Sequence, residues 1–179
     1  MKSIKIISHV EAQQCLDSIK HCSEIYLMAR ISYETGARLN ELVKLTKERI
    51  SKNHIQLGRL LYKGTGRQIL LKDDTNRLLQ QFIKNKKRAD RIFNISLCEL
   101  NNCINEMRKA TNIEGITFRS FRQSFICRLY EKSDHNLLET TFEERELFLD
   151  LIGFDASKHK KIDFVNFEQF KRVVKNNEK

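Results

Sequence analysis

Proline is absent from the 179 residues. That absence suits a chain of helices, since no segment carries the residue that breaks a helix interior. Long apolar runs are missing too. None approaches the roughly 18 residues that a membrane span requires, and no signal peptide is read ahead of the first helix. Disulfide and zinc-ribbon patterns are also lacking. The five cysteines (Cys15, Cys22, Cys98, Cys103, Cys127) are odd in number, show no C-x-x-C spacing and sit in apolar or helical contexts. They read as reduced core thiols rather than metal ligands, and the compartment as cytoplasmic. There is no internal repeat, low-complexity segment or linker, so 1–179 is expected to form one domain with a core of its own.

Positive charge is what the chain has in excess. Lys and Arg total 33 against 23 Asp and Glu, a net charge of +10. Such a surplus favours a polyanionic partner, nucleic acid first and an anionic membrane second. The charge is also zoned. Residues 59–91 carry ten basic and three acidic side chains, and residues 158–179 carry seven and three. Between them, residues 139–150 hold five acidic side chains and one Arg.

Capping boxes mark helix starts at Ser8 with Glu11, Ser96 with Glu99, and Thr141 with Glu144. Helices are expected near 9–21, 24–34, 38–45, 75–86, 97–110, 118–131, 142–152 and 162–174. Ile25, Met28 and Ile31 would share one face of the second. HIQL, RLLY and RQILL, between 54 and 71, read as three short strands bounded by Gly58 and KGTG. The expected fold is mainly α with one small antiparallel β-sheet.

Three segments carry chemistry. TGARLNELVKL (35–45) places Arg38 after a glycine turn, at the start of a helix whose Leu39, Leu42 and Leu45 face the core. YKGTGRQILL (62–71) is a hairpin from which Lys63 would project. RSFRQ (119–123) sets Arg119 and Arg122 on one helix face, beside a buried stripe of Phe118, Phe121, Phe125 and Leu129. Two guanidinium forks on rigid helices and a lysine ammonium suit a phosphodiester: the forks bind non-bridging oxygens and the ammonium protonates a leaving oxygen.

These motifs, in this order, resemble the catalytic domain of the tyrosine recombinases, or phage integrases. T-G-x-R-x-x-E-L appears as TGARLNEL, a K-G hairpin follows, and the H-x-L-R-H helix is matched in its core by FRSFRQSF. The likeness runs from about residue 8 to about residue 174. It implies that Arg38 and Arg122 are the two arginines on the scissile phosphate and that Lys63 donates a proton to the leaving 5′ oxygen. Arg119 stands where the motif opens with histidine, and Gln123 replaces another frequent histidine. Other positions depart from the pattern. The L-G-H motif reads Ile152-Gly153-Phe154, and the tyrosine nucleophile's position falls in KKIDFVNF, at Phe164. No tyrosine follows Tyr130, which does not match the family position. Without that hydroxyl no phosphotyrosyl intermediate forms by this route.

The favoured reading is a DNA-binding module with an integrase catalytic fold and no strand cleavage, acting as a regulator or accessory factor of a mobile element or of transcription. Its contacts to duplex DNA would come from Arg38, Lys63, Arg67, Arg119 and Arg122. The basic runs at Lys86, Lys87, Arg88 and at Lys158, Lys160, Lys161 would add to them, with Phe154 and Phe164 as vestigial positions. The helical domain that most family members place ahead of the catalytic one is read as absent. The apolar stripe Phe164, Phe167, Phe170, Val173, Val174 suits either a homo-oligomer contact or closure of its own core. No cofactor, metal, membrane or small-molecule substrate is expected. Two alternatives stand beside this reading: an active recombinase whose tyrosine was changed to Phe164, which Phe154 argues against, and a protein-interaction scaffold.

Overall fold

The structure is a computed structural model that describes residues 5–58 and 68–132. The strand RLLY, Lys63, Arg67, the Thr141 capping box, the helices at 142–152 and 162–174, and every candidate from Phe154 to Lys161 and Phe164 lie outside the described residues, as do the homo-oligomer stripe and the side chain of Leu129.

Helix α1 (His9–Ser18) begins at the expected capping box. The Ser8 hydroxyl accepts from the Glu11 N–H at 3.2 Å, and the Glu11 carboxylate accepts from the Ser8 N–H at 2.7 Å. Burial opposes ionisation of Glu11, but the two Ser8 bonds and the Lys5 ammonium outweigh it and hold the carboxyl below its usual range. The helix ends three residues before the expected 21. At that point Ile19 and Cys22 turn the chain with N–H bonds to Leu16 and Ile19.

Helix α2 (Ser23–Thr35) is buried nearly all round, not on one stripe: Ile25, Leu27, Met28, Ala29, Ile31 and Tyr33 all lie in the core. Beyond its first turn only the edge with Tyr26, Arg30 and Glu34 is less than fully buried, which places the helix in the centre of a packed unit. It meets α1, the short helix α3 (Leu39–Val43) and helix α4 (Asp73–Ile83). Helix α5 (Leu97–Thr111) packs against α1, starts at the expected Ser96–Glu99 box and ends at Asn112 in the left-handed region. Helix α6 spans Phe118–Lys132.

Strands β1 (His54–Gln56) and β2 (Gln68–Leu70) pair antiparallel, with Ile55 opposite Ile69. Ile55 is fully buried between exposed His54 and Gln56, the alternation a half-buried strand dictates. Asp73 and Asp74 occupy the first turn of α4, where negative charge complements the helix dipole. At its other end the Lys47 ammonium donates to the carbonyl of Lys86 at 2.6 Å and that of Lys84 at 3.4 Å.

The cysteines do not all sit in the core. Cys15, Cys103 and Cys127 are buried, but Cys22 is half-buried and Cys98 exposed. Burial pushes the Cys15 thiol up to about 11; burial and the neighbouring Cys22 push Cys103 up to about 12. The chain divides into two compact units, Met1–Phe125 and Ile126–Lys179; the described part of the second is the end of α6.

Candidate nucleic-acid interface

The turn between α2 and α3 is fixed by its own side chains. Thr35, 1% exposed, donates its hydroxyl to the Ile31 carbonyl at 2.6 Å and accepts from the Ala37 N–H at 3.2 Å. The fully buried Ser32 hydroxyl donates to the Ala37 carbonyl at 2.9 Å. Gly36 sits at φ +67°, where a side chain is disfavoured, and its N–H caps Ser32. A Cβ there would lie 2.7 Å from the Phe125 ring. Glycine is therefore required twice, for its backbone angle and for the ring that covers it.

Arg38 follows at once, half-buried, as the N-cap residue of α3. Its own N–H donates to the Glu41 carboxylate at 2.8 Å. The E of the T-G-x-R-x-x-E-L pattern thus sets the backbone from which Arg38 projects. Leu42 and Leu45 are buried and Leu39 partly so, which anchors the short helix as its pattern predicts.

Arg122 enters the same corner from α6. It is 6% exposed, and its Nη1 donates to the Gly36 carbonyl. Arg119 and Arg122, three residues apart on α6, differ in burial: Arg119 is exposed while Arg122 is buried. Residues three apart on a helix differ by about 60° in direction, enough to straddle a boundary between core and solvent. Phe118 and Phe121 are buried as expected, whereas Phe125 is only half-buried, laid over Gly36. Ser124 anchors this part of α6, accepting from the Ile7 N–H at 3.0 Å and donating to its carbonyl at 2.6 Å. Two polar atoms nearby are buried without a hydrogen-bond partner, Thr117 Oγ1 and Gln123 Oε1.

The basic run after α4 is built differently. Lys87 and Arg88 are exposed. Lys86 is half-buried, with its ammonium 5.4 Å from the Phe82 ring centre and 3.4 Å from the Arg91 carbonyl. The chain's motifs gave no hint of two other features. One is an open depression of about 610 Å³ lined by Lys52, Asn53, Arg77 and Lys84 among others. The other is a polar network joining α2 to α4. In it the Thr75 hydroxyl donates to Glu34 at 2.6 Å and accepts from Arg30 at 3.0 Å. Arg30 and Glu34 stand four apart on α2, which was the available signal; Thr75 gave none. The hydroxyls of Ser32 and Ser124 were equally silent in the sequence.

Among the described residues no helix is long and apolar enough to cross a membrane. Residues 5–142 match the model of the phage integrase family. The chain is 28% identical over 114 residues to the tyrosine recombinase XerA of Saccharolobus solfataricus, covering 63% of this chain and 39% of that protein. Among solved structures it resembles the Tn1549 transposon integrase in complex with circular intermediate DNA, with a TM-score of 0.63, 16% identity, and coverage of 96% of this chain and 66% of that one. It also resembles the catalytic domain of the bacteriophage HP1 integrase, with a TM-score of 0.53 and 19% identity over 89% of this chain and all of that one. The chain thus spans well under half of the XerA recombinase and about two thirds of the transposon integrase structure. With the arginine corner, the helical fold and the small sheet all in place, the chain belongs to the phage integrase family and has the fold of a tyrosine-recombinase catalytic domain.

Proposed function

We propose that this chain binds duplex DNA through the Arg38–Arg122 corner and does not itself cleave strands. The observation that carries the reading is the bond from the Arg122 guanidinium to the Gly36 carbonyl, two residues ahead of Arg38. That bond fixes the guanidinium against a rigid turn, and a fork held in place this way suits the non-bridging oxygens of a phosphate. Lys63 and Arg67, in the sequence between β1 and β2, would add an ammonium and a further guanidinium. Arg119, exposed on α6, and the exposed Lys87 and Arg88 would extend the contact along the backbone without reading bases.

Loss of cleavage rests on residue chemistry. Phenyl rings at Phe154 and Phe164 replace an imidazole and a phenol, and no tyrosine follows Tyr130 within the 179 residues. A chain that grips DNA without cutting it suits a regulator or an accessory factor of a mobile element.

Binding to random-sequence duplex DNA across a salt series tests the reading, with wild type beside Arg38→Ala and Arg122→Lys and folding checked by circular dichroism. Steep salt dependence in the wild type that becomes shallower by about one unit in Arg38→Ala is expected, since each phosphate contact releases about one counterion. Equal slopes in folded proteins would remove DNA from this corner. A nicked suicide duplex should yield no covalent adduct; an adduct would overturn the loss of cleavage.

A further inference from the structure

The turn that joins α1 to α2 carries His21 and Cys22, and it faces two side chains of α5 that stand three residues apart, Cys103 and Glu106. These four line one cleft of about 390 Å³. The ligating atoms of His21, Cys22 and Glu106 all lie within 4.8 Å of one another. His21 Nε2 and Glu106 Oε2 are 3.1 Å apart. We infer that His21, Cys22 and Glu106 form a zinc site that clamps the α1–α2 turn onto α5.

The donor set selects the ion. An imidazole, a carboxylate and a thiol together suit borderline-soft Zn²⁺, whereas Mg²⁺ and Ca²⁺ take oxygen ligands. The spacing suits it as well. Two ligands at zinc–nitrogen and zinc–oxygen bond lengths and a tetrahedral angle lie about 3.3 Å apart, close to the 3.1 Å between His21 and Glu106. In the metal-free protein a hydrogen bond links these two groups; an ion would take the proton's place between them. Binding would deprotonate the coordinating Cys22 thiol outright, as a divalent cation does at such sites. Three protein ligands from two segments leave the fourth position of the tetrahedron to water. No C-x-x-C motif announces it, because its two halves come from segments 85 residues apart in the chain.

Cobalt titration of the EDTA-stripped, reduced full chain tests the inference. One equivalent of Co²⁺ should produce thiolate-to-cobalt charge-transfer absorption and tetrahedral visible bands, and one equivalent of Zn²⁺ should abolish both. His21→Ala and Cys22→Ser should each weaken binding at least tenfold, while Cys98→Ser should leave it unchanged. His21 is largely exposed and serine is a favourable helix cap at 22, so both variants keep the fold. Zinc should also raise the melting temperature of the wild type and not of His21→Ala. No charge-transfer band with one equivalent, or undiminished affinity in either His21→Ala or Cys22→Ser, would overturn the site.

Discussion

At its C-terminal end α2 runs into a turn whose polar groups answer one another: Thr35 and Ser32 hold the backbone, Gly36 fits under a phenyl ring, and Arg122 reaches in from another helix. At its N-terminal end the turn Lys20–Cys22 has no side-chain cap and lines an open cleft with an imidazole and a thiol. One helix therefore joins a corner that tolerates no change to one that presents donor atoms outward. Burial explains the difference. Ser32, Thr35, Ala37 and Arg122 are at most 6% exposed, so each unmet polar group there carries its full desolvation cost, whereas the His21 side chain is 63% exposed.

Substitutions at the two ends should separate them in order of size. Gly36→Val combines a strained backbone angle with a collision against Phe125, and should lower stability by about 2–4 kcal/mol. Urea unfolding would show this as a lower midpoint at unchanged slope. An unchanged midpoint would mean the corner is looser than its geometry says. Thr35→Val keeps the shape but leaves the Ala37 N–H without its acceptor, for an expected loss of about 1–2 kcal/mol.

A smaller effect separates seals that titrate from seals that do not. The α1 cap depends on Glu11, whose carboxyl is held below its usual range in the folded chain by the Ser8 bonds and Lys5, against the opposing effect of burial. Its contribution is complete above the unfolded carboxylate value of about 4.3 and is lost as pH falls through the lower folded value. Glu11→Gln should cost about 0.5–1 kcal/mol at neutral pH, and the gap to wild type should close in acid. The hydroxyl seals at Ser32 and Thr35 should show no such closing. Smallest of all, His21→Ala in EDTA should change stability by no more than about 0.5 kcal/mol. A larger loss would show that the open end is also a fixed one.

These contrasts also mark how much could be read in advance. The capping boxes at Ser8 and Ser96 were legible because both partners lie within four residues. The TGAR turn and the strands in HIQL and RQILL were legible because glycine and alternation act locally. The burial of Arg122 was not. On α6 arginines alternate with phenylalanines, so periodicity alone leaves the core boundary undetermined between Arg119 and Arg122. The near-complete burial of α2 depended on α1, α3 and α4 closing round it. His21 and Glu106 meet only through tertiary packing, and no spacing rule spans 85 residues.

The bond between Arg122 and Gly36 joins positions 86 apart, and Ser124 reaches Ile7 across 117. Both closures need α6, so during synthesis the arginine corner stays unassembled until residue 124 has cleared the ribosome. Contacts this distant in the chain require loop closure before they return any stabilisation, which slows folding. An N-terminal fragment ending before α6 would carry the whole TGARLNEL motif yet lack the charge that completes its corner. Assembly of the arginine corner is in this sense a late checkpoint, which reports that α6 has met the segments around Ile7 and Gly36.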